Sequence, residues 1–162
     1  MRVGLVSDSH DHVPRIREAV SLLNRLAADV VLHAGDYCSP FAVQELGRLE
    51  APLHGIWGNN DGDVYRLMQA FAEIGARMEW QWWESRIDRR RILMMHEPRG
   101  VDALAATGDY DLVVYGHTHE RDERSVGRTR IVNPGELCGW LGGVPSFAVY
   151  DTASGEVEFH EF

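Results

Sequence analysis

Three short apolar runs open this chain, and the spacing between them constrains its fold more than any other feature. Arg2–Ser7, Val30–His33 and Leu53–Trp57 are rich in β-branched and aliphatic residues, and each stops abruptly at polar residues or glycine. The segments between and after them have helical periodicity. Pro14 suits a first helical turn, and Ile16, Ala19, Val20, Leu22, Leu23 and Leu26 then recur on one helix face. Ser39-Pro40 reads as an N-cap and first helical position, with Phe41, Val43, Leu46 and Leu49 as the apolar face. Asp63 is placed to cap a third helix carrying Leu67, Met68, Phe71 and Ile74, which Gly75 ends. Strand and helix repeated three times with short connections predict right-handed crossovers and a parallel sheet.

The second half reads differently. Met78–Ser85 and Arg90–Met95 are expected to be neighbouring strands. Alternation within the first places Trp80 and Trp82 on a buried face and Trp83 on the other, at an edge or an interface between copies. A short helix over Val101–Thr107 leads to a strand at Leu112–Tyr115, followed by hairpins turning near Gly127 and near Ser154-Gly155. No linker, repeat or low-complexity stretch interrupts residues 1–162, so a single domain with two sheets is expected.

Composition narrows the function classes. No apolar run approaches the roughly 18–20 residues of a membrane span, and the N-terminal stretch is too short for a signal-peptide core. The expectation is a soluble, cytoplasmic protein with no membrane partner, in which Cys38 and Cys138 stay as free thiols. The net charge of −9 argues against broad attraction to nucleic acid. A phosphate-bearing substrate would need local help from metal ions or a few arginines.

The residues at the strand ends carry the chemistry. The first three runs end in Asp8-Ser9-His10, Gly35-Asp36 and Gly58-Asn59-Asn60-Asp61. The strand near residue 95 ends in His96, and the next in Gly116-His117-Thr118-His119. Ligands of open α/β sheets gather outside the carboxyl ends of the strands. Carboxylate, imidazole and amide oxygen are donors that borderline divalent ions accept. Each fragment alone is weak; a Gly-Asp after a strand is usually a turn. The order of all five together is a strong signal.

In this order the motifs resemble the calcineurin-like metallophosphoesterases, in particular their small bacterial and archaeal phosphodiesterase branch. Asn133-Pro134-Gly135 matches a further element of that pattern. The resemblance implies an α/β fold, a four-layer α/β/β/α sandwich of two mixed sheets flanked by helices. It also implies that Asp8, His10 and His119 hold one metal ion, that Asn59, His96 and His117 hold a second, and that Asp36 bridges both. The catalytic work would fall to Asp36, Asn59 and His117. Two divalent ions about 3.5–4 Å apart clamp the oxygens of an in-line displacement and lower the pKa of a water toward neutrality. Mixed nitrogen and oxygen donors suit Mn, Fe, Ni or Zn better than Mg or Ca. The implied reaction is hydrolysis of a small phosphate ester, with phosphodiesters favoured. Alternatives are a phosphomonoesterase or nucleotide phosphatase on the same site. A different class, a non-catalytic protein-binding scaffold, is known for a eukaryotic relative of this fold.

Three positions depart from the family pattern. Relatives commonly carry His directly after the Gly-Asn asparagine as a leaving-group acid; here Asn60 stands there and has no proton to give near neutral pH. The lone histidine is followed by Glu97-Pro98-Arg99 rather than Gly, and Asn-Pro-Gly by Glu136 rather than Ser. Asn60, Arg99 and His12 are the candidate substrate contacts, Arg99 and His12 against the plainer alternative of solvated loop residues. His33 reads either as a hydrogen-bond partner of a ligand carboxylate or as a satisfied core histidine. Asp61 is expected to orient Asn60 or its turn.

Overall fold

The first apolar run forms β1 (Arg2–Val6), and its alternation decides how the layers stack. In the computed structural model, which describes residues 1–162, Val3 and Leu5 enter an apolar cluster shared with a second sheet, while Val6 enters one beneath helices. After β1 come α1 (Val13–Arg25), β2 (Val30–His33), α2 (Pro40–Leu46), β3 (Leu53–Ile56), α3 (Val64–Glu73) and β4 (Arg77–Glu79). Strands β1 to β4 run parallel, with Val3 beside Val30 and Val31 beside Leu53. Being covered on both faces, β1 and β2 are apolar almost throughout rather than alternating, whereas the edge strand β4 exposes Arg77 and Glu79.

The second sheet holds β5 (Trp82–Ile87), β6 (Arg90–Met95), β7 (Leu112–Val114), β8 (Arg121–Val126) and β9 (Thr129–Pro134) in the order β5-β6-β7-β9-β8, with α4 (Val101–Ala106) between β6 and β7. Its β6, β7 and β9 are parallel and its edges antiparallel. The hairpin β10 (Ser146–Asp151) and β11 (Val157–Glu161) returns to the first sheet, giving β11-β10-β1-β2-β3-β4. Three apolar clusters fill the spaces between layers. Ile16, Leu23 and Phe71 pack helices on the first sheet, Leu5, Leu32, Ile92 and Val114 join the sheets, and Leu93, Val113 and Ala105 seat α4. The expected α/β/β/α sandwich is therefore observed. Each fully buried aliphatic side chain contributes about 1.5–3 kcal/mol of apolar burial.

Several local expectations are corrected. Met78–Ser85 is not one strand: β4 belongs to the first sheet and β5 to the second, with Trp80-Gln81 crossing between them. The crossing breaks the alternation, so Trp83 is buried (6% exposed), whereas Trp80 and Trp82 are 66% and 59% exposed, the reverse of the expected faces. Ser39 and Pro40 take the expected N-cap and first helical positions of α2, but the Ser39 side chain makes no capping hydrogen bond, because its hydroxyl donates to Asp11 Oδ2 at 2.7 Å. Helix α2 ends at Leu46, short of Leu49, and Phe41 and Met68 face outward. Asp63 does cap α3, accepting from the Arg66 amide at 3.3 Å.

Candidate metal centre

The carboxyl ends of β1, β2, β3, β6 and β7 converge, and the chain leaves them in an unusual conformation. Asp8, His10, Asp36, His117 and His119 have φ of 52°, 38°, 62°, 69° and 62°. For residues with a Cβ this left-handed region costs about 1–2 kcal/mol each. Five of the seven candidate ligands carry such strain, and its concentration at one edge is typical of a functional site. Backbone hydrogen bonds hold the loops against each other: the Asp8 amide donates to Gly35 O at 3.1 Å and the Gly116 amide to His96 O at 3.0 Å. Two glycines make this crowding possible. A Cβ on Gly58 would collide with Asp36 Oδ1 and its amide, and one on Gly116 with Ser7 Oγ. These glycines precede candidate ligands because the neighbouring loop needs the space.

Two donor sets meet at Asp36. Asp8 Oδ1 lies 3.8 Å from His10 Nε2 and 3.6 Å from His119 Nε2, and His10 Nε2 lies 3.4 Å from Asp36 Oδ2. On the other side, His96 Nε2 lies 3.5 Å from the same Asp36 oxygen and 2.9 Å from Asn59 Oδ1. His117 Nδ1 lies 2.8 Å from that Asn59 oxygen. Asp8 Oδ1 and His10 Nε2 are buried with no hydrogen-bond partner. Buried polar atoms are rarely left so, and an unsatisfied carboxylate oxygen facing imidazole nitrogens fits a cation. Burial would raise the Asp36 pKa, but hydrogen bonds from His96 and Asn60 outweigh it and hold the carboxyl below the usual range. The Asp8 carboxylate, followed by the Cys38 sulfur, pushes His10 up to about 10.

Behind the donors lies a buried frame, much of which the motifs do not reveal. Glu136, 1% exposed, accepts from His119 Nδ1 at 2.7 Å and from the Leu141 amide at 3.0 Å, with the Gly142 amide also donating. The Cys138 thiol donates to it at 3.2 Å, and burial keeps that thiol protonated, its pKa pushed up to about 12. Asp61 accepts from the amides of Asp36, Tyr37, Cys38 and Gly58, so it fastens the β2 and β3 loops together rather than orienting the Asn60 side chain. Asn133 does the same for the β7 loop, its Nδ2 donating to Gly116 O at 3.0 Å and Thr118 Oγ1 at 2.9 Å. His33 is buried and neutral, lowered to about 3 by burial; it accepts from the Gly35 amide and donates to Ser9 Oγ, touching no carboxylate. A sequence signal for Glu136 did exist: a carboxylate between Gly135 and the apolar Leu137-Cys138 is stable inside only with partners.

The candidate substrate contacts fare unevenly. Asn60 donates from its amide to Asp36 Oδ1 and from Nδ2 to Oδ2, both at 2.8 Å, so its side chain is engaged on the shared carboxylate. His12 accepts from the Arg15 amide as the cap of α1 and packs on Trp140, ring centroids 4.6 Å apart. Arg99 is a 90% exposed side chain paired with Glu97 at 2.9 Å, on the rim of a cleft that includes Asn59 and His96.

Known proteins resemble this chain along nearly its whole length. The family model of the calcineurin-like phosphoesterase superfamily domain matches residues 1–155. Phosphodiesterase MJ0936 of Methanocaldococcus jannaschii is 35% identical over 159 residues, covering 96% of both chains. A solved structure described as a novel archaeal phosphodiesterase superposes with a TM-score of 0.93 at 33% identity, covering all of both chains. Vps29 of Chaetomium thermophilum superposes at 0.72 with 17% identity, covering 99% of this chain and 96% of its own, a likeness of fold alone.

Proposed function

The chain belongs to the calcineurin-like phosphoesterase superfamily, and on that premise we propose that it is a phosphodiesterase working through a pair of divalent cations. It is a metal-dependent phosphoester hydrolase. The observation that carries the finer reading is the single buried carboxylate, Asp36, shared by two donor sets. Asp8, His10 and His119 with Asp36 would hold one ion, and Asn59, His96 and His117 with Asp36 the other. Mn, Fe, Ni and Zn all suit these donors. Bound there, the ions supply an ionised water near neutral pH and a positive clamp on phosphate oxygens.

The chain's own residues set the conditions for that chemistry. Only two carboxylates, Asp8 and Asp36, stand among the seven donors, so a pair of divalent ions leaves the centre net positive toward a phosphodiester anion. Asn59 contributes oxygen without charge. His96 Nδ1 donates to Ala34 O at 2.7 Å, which directs Nε2 toward the cation. Asn60 braces Asp36 and has no proton to lend a departing alkoxide. No helix is long and apolar enough to cross a membrane, and both cysteines are free, which supports a reducing, cytoplasmic setting. The whole chain would act as one metallophosphoesterase domain.

Lacking a built-in acid, the site is expected to favour good leaving groups. With Mn²⁺ or Ni²⁺ added, bis-p-nitrophenyl phosphate should turn over at least ~100-fold faster than a dialkyl phosphate, the scale of a missing general acid. Across a series of aryl methyl phosphates, log kcat should fall steeply with leaving-group pKa. A flat series would mean that some other group protonates the leaving oxygen, and no hydrolysis with any metal would overturn the phosphodiesterase reading.

A further inference from the structure

We propose that the tryptophan-walled cleft beside the second donor set is a subsite for a planar aromatic group, a nucleobase or an aryl ring, carried on the phosphate ester. The proposal rests on the reading of the metal centre as a phosphate site. The cleft, about 500 Å³, shares Asn59 and His96 with that centre and is walled by Trp57, Trp80 and Trp82. A group held there is therefore continuous with a phosphate held between the ions. A larger hollow of about 700 Å³ opens at Arg2, at the other end of β1, and shares no residue with the donor sets.

The walls suit a flat ring. Trp57 follows β3 directly and is backed edge-on by Phe71, ring centroids 6.1 Å apart, so its indole is held in place. Trp80 is tilted 43° to it at 5.8 Å, and the Trp57 amide donates to Trp80 O at 3.1 Å, tying the two walls together. The crossing of the chain between sheets turns Trp80 and Trp82 outward, leaving two large indoles uncovered beside the site. Exposed indoles stack on any π-face, and each stacked base or ring is commonly worth about a tenfold change or more in affinity. Arg99 and Glu97 add a donor and an acceptor at the rim, which can meet ring heteroatoms. The net charge of −9 disfavours a long polyanion, so a mononucleotide-sized ester fits better than extended nucleic acid.

The test is calorimetric binding to the Mn²⁺-loaded protein. AMP is compared with ribose 5-phosphate, which lacks only the base, and phenyl phosphate with methyl phosphate. AMP is expected to bind about tenfold tighter than ribose 5-phosphate. Preference for both AMP and phenyl phosphate supports a general aryl subsite; preference for AMP alone supports a nucleobase subsite. Trp80→Ala and Trp82→Ala should bring the AMP to ribose 5-phosphate ratio close to one, and Trp80→Phe should restore it. Both indoles are exposed, so neither change empties the core. Equal binding of AMP and ribose 5-phosphate, with phenyl and methyl phosphate also equal, overturns the proposal. So does a fall in affinity for all four ligands alike in the Trp variants. A dimer in sedimentation velocity that Trp80→Ala dissociates, with no base preference, would assign these indoles to a second copy instead. Hydrolysis of bis-p-nitrophenyl phosphate by the same preparations separates the two claims: hydrolysis without ring preference removes only the subsite, and ring preference without hydrolysis removes only the phosphodiesterase reading.

Discussion

Asp36→Asn is expected to lower kcat/KM for bis-p-nitrophenyl phosphate by roughly 10³-fold or more, the several kcal/mol that a metal clamp supplies to such a displacement. The side chain is 1% exposed, and its Oδ2 stands 3.4 Å from His10 Nε2 and 3.5 Å from His96 Nε2, one from each donor set. Asparagine keeps the volume but removes the shared negative charge and points an NH₂ group toward a cation. The Asn60 amide and side chain, which now donate to both Asp36 oxygens, would lose one acceptor. Metal content after dialysis should fall from two ions per chain to one or none, while far-ultraviolet circular dichroism stays unchanged. A variant that keeps both ions and most of its activity would remove Asp36 from the bridging role.

The second large effect is expected at Glu136. Its carboxylate accepts from His119 Nδ1 at 2.7 Å, which leaves Nε2 free to face Asp8 and a cation. Burial would raise the Glu136 pKa, yet hydrogen bonds from His119 and the Leu141 and Gly142 amides hold it low. Glu136→Ala should weaken metal binding about 10- to 100-fold, the usual cost of losing a residue that orients a ligand. It also removes the acceptor shared by the Cys138 thiol and the Leu141 and Gly142 amides, so the melting temperature should drop. Glu136→Gln separates the two roles: its oxygen can still accept, but the charge that polarises His119 is gone. Metal titration of the glutamine variant should show the weaker affinity in a protein that melts near the wild-type temperature. Unchanged affinity there would reduce Glu136 to a tether for the Cys138–Pro145 loop.

The two sheets and the order of the strand-end residues were legible in the sequence because both depend on local pattern, whereas the four-layer stacking was implied by the family resemblance. Val30–His33 matches β2 end to end, and the three strand–helix repeats give the parallel β1, β2 and β3. Strand ends are marked by an abrupt change from apolar to polar, so Asp8, Asp36, Asn59, His96 and His117 can be placed at one edge. What sequence could not show depends on contacts between distant segments. Nothing local says that Trp80-Gln81 crosses from one sheet to the other, because extended chain looks alike in both. The outward indoles, and with them the cleft, therefore escaped the alternation argument. Asp61 was visible only as a turn residue; its four amide partners come from two loops. The departure at Glu136 had no account in sequence because His119 meets it only once β8 and β9 have formed their hairpin, and the Leu141 and Gly142 amides only where the loop after β9 folds back on it.

A metal titration of the stripped protein shows whether two ions act together. Hydrolysis of bis-p-nitrophenyl phosphate is followed as Mn²⁺ is added to a chelator-treated sample, with bound metal counted by mass spectrometry. Activity is expected to stay low through the first equivalent and to reach its plateau at two ions per chain. Full activity at one bound ion, or activity that survives complete metal removal, would contradict a dinuclear centre built on Asp36.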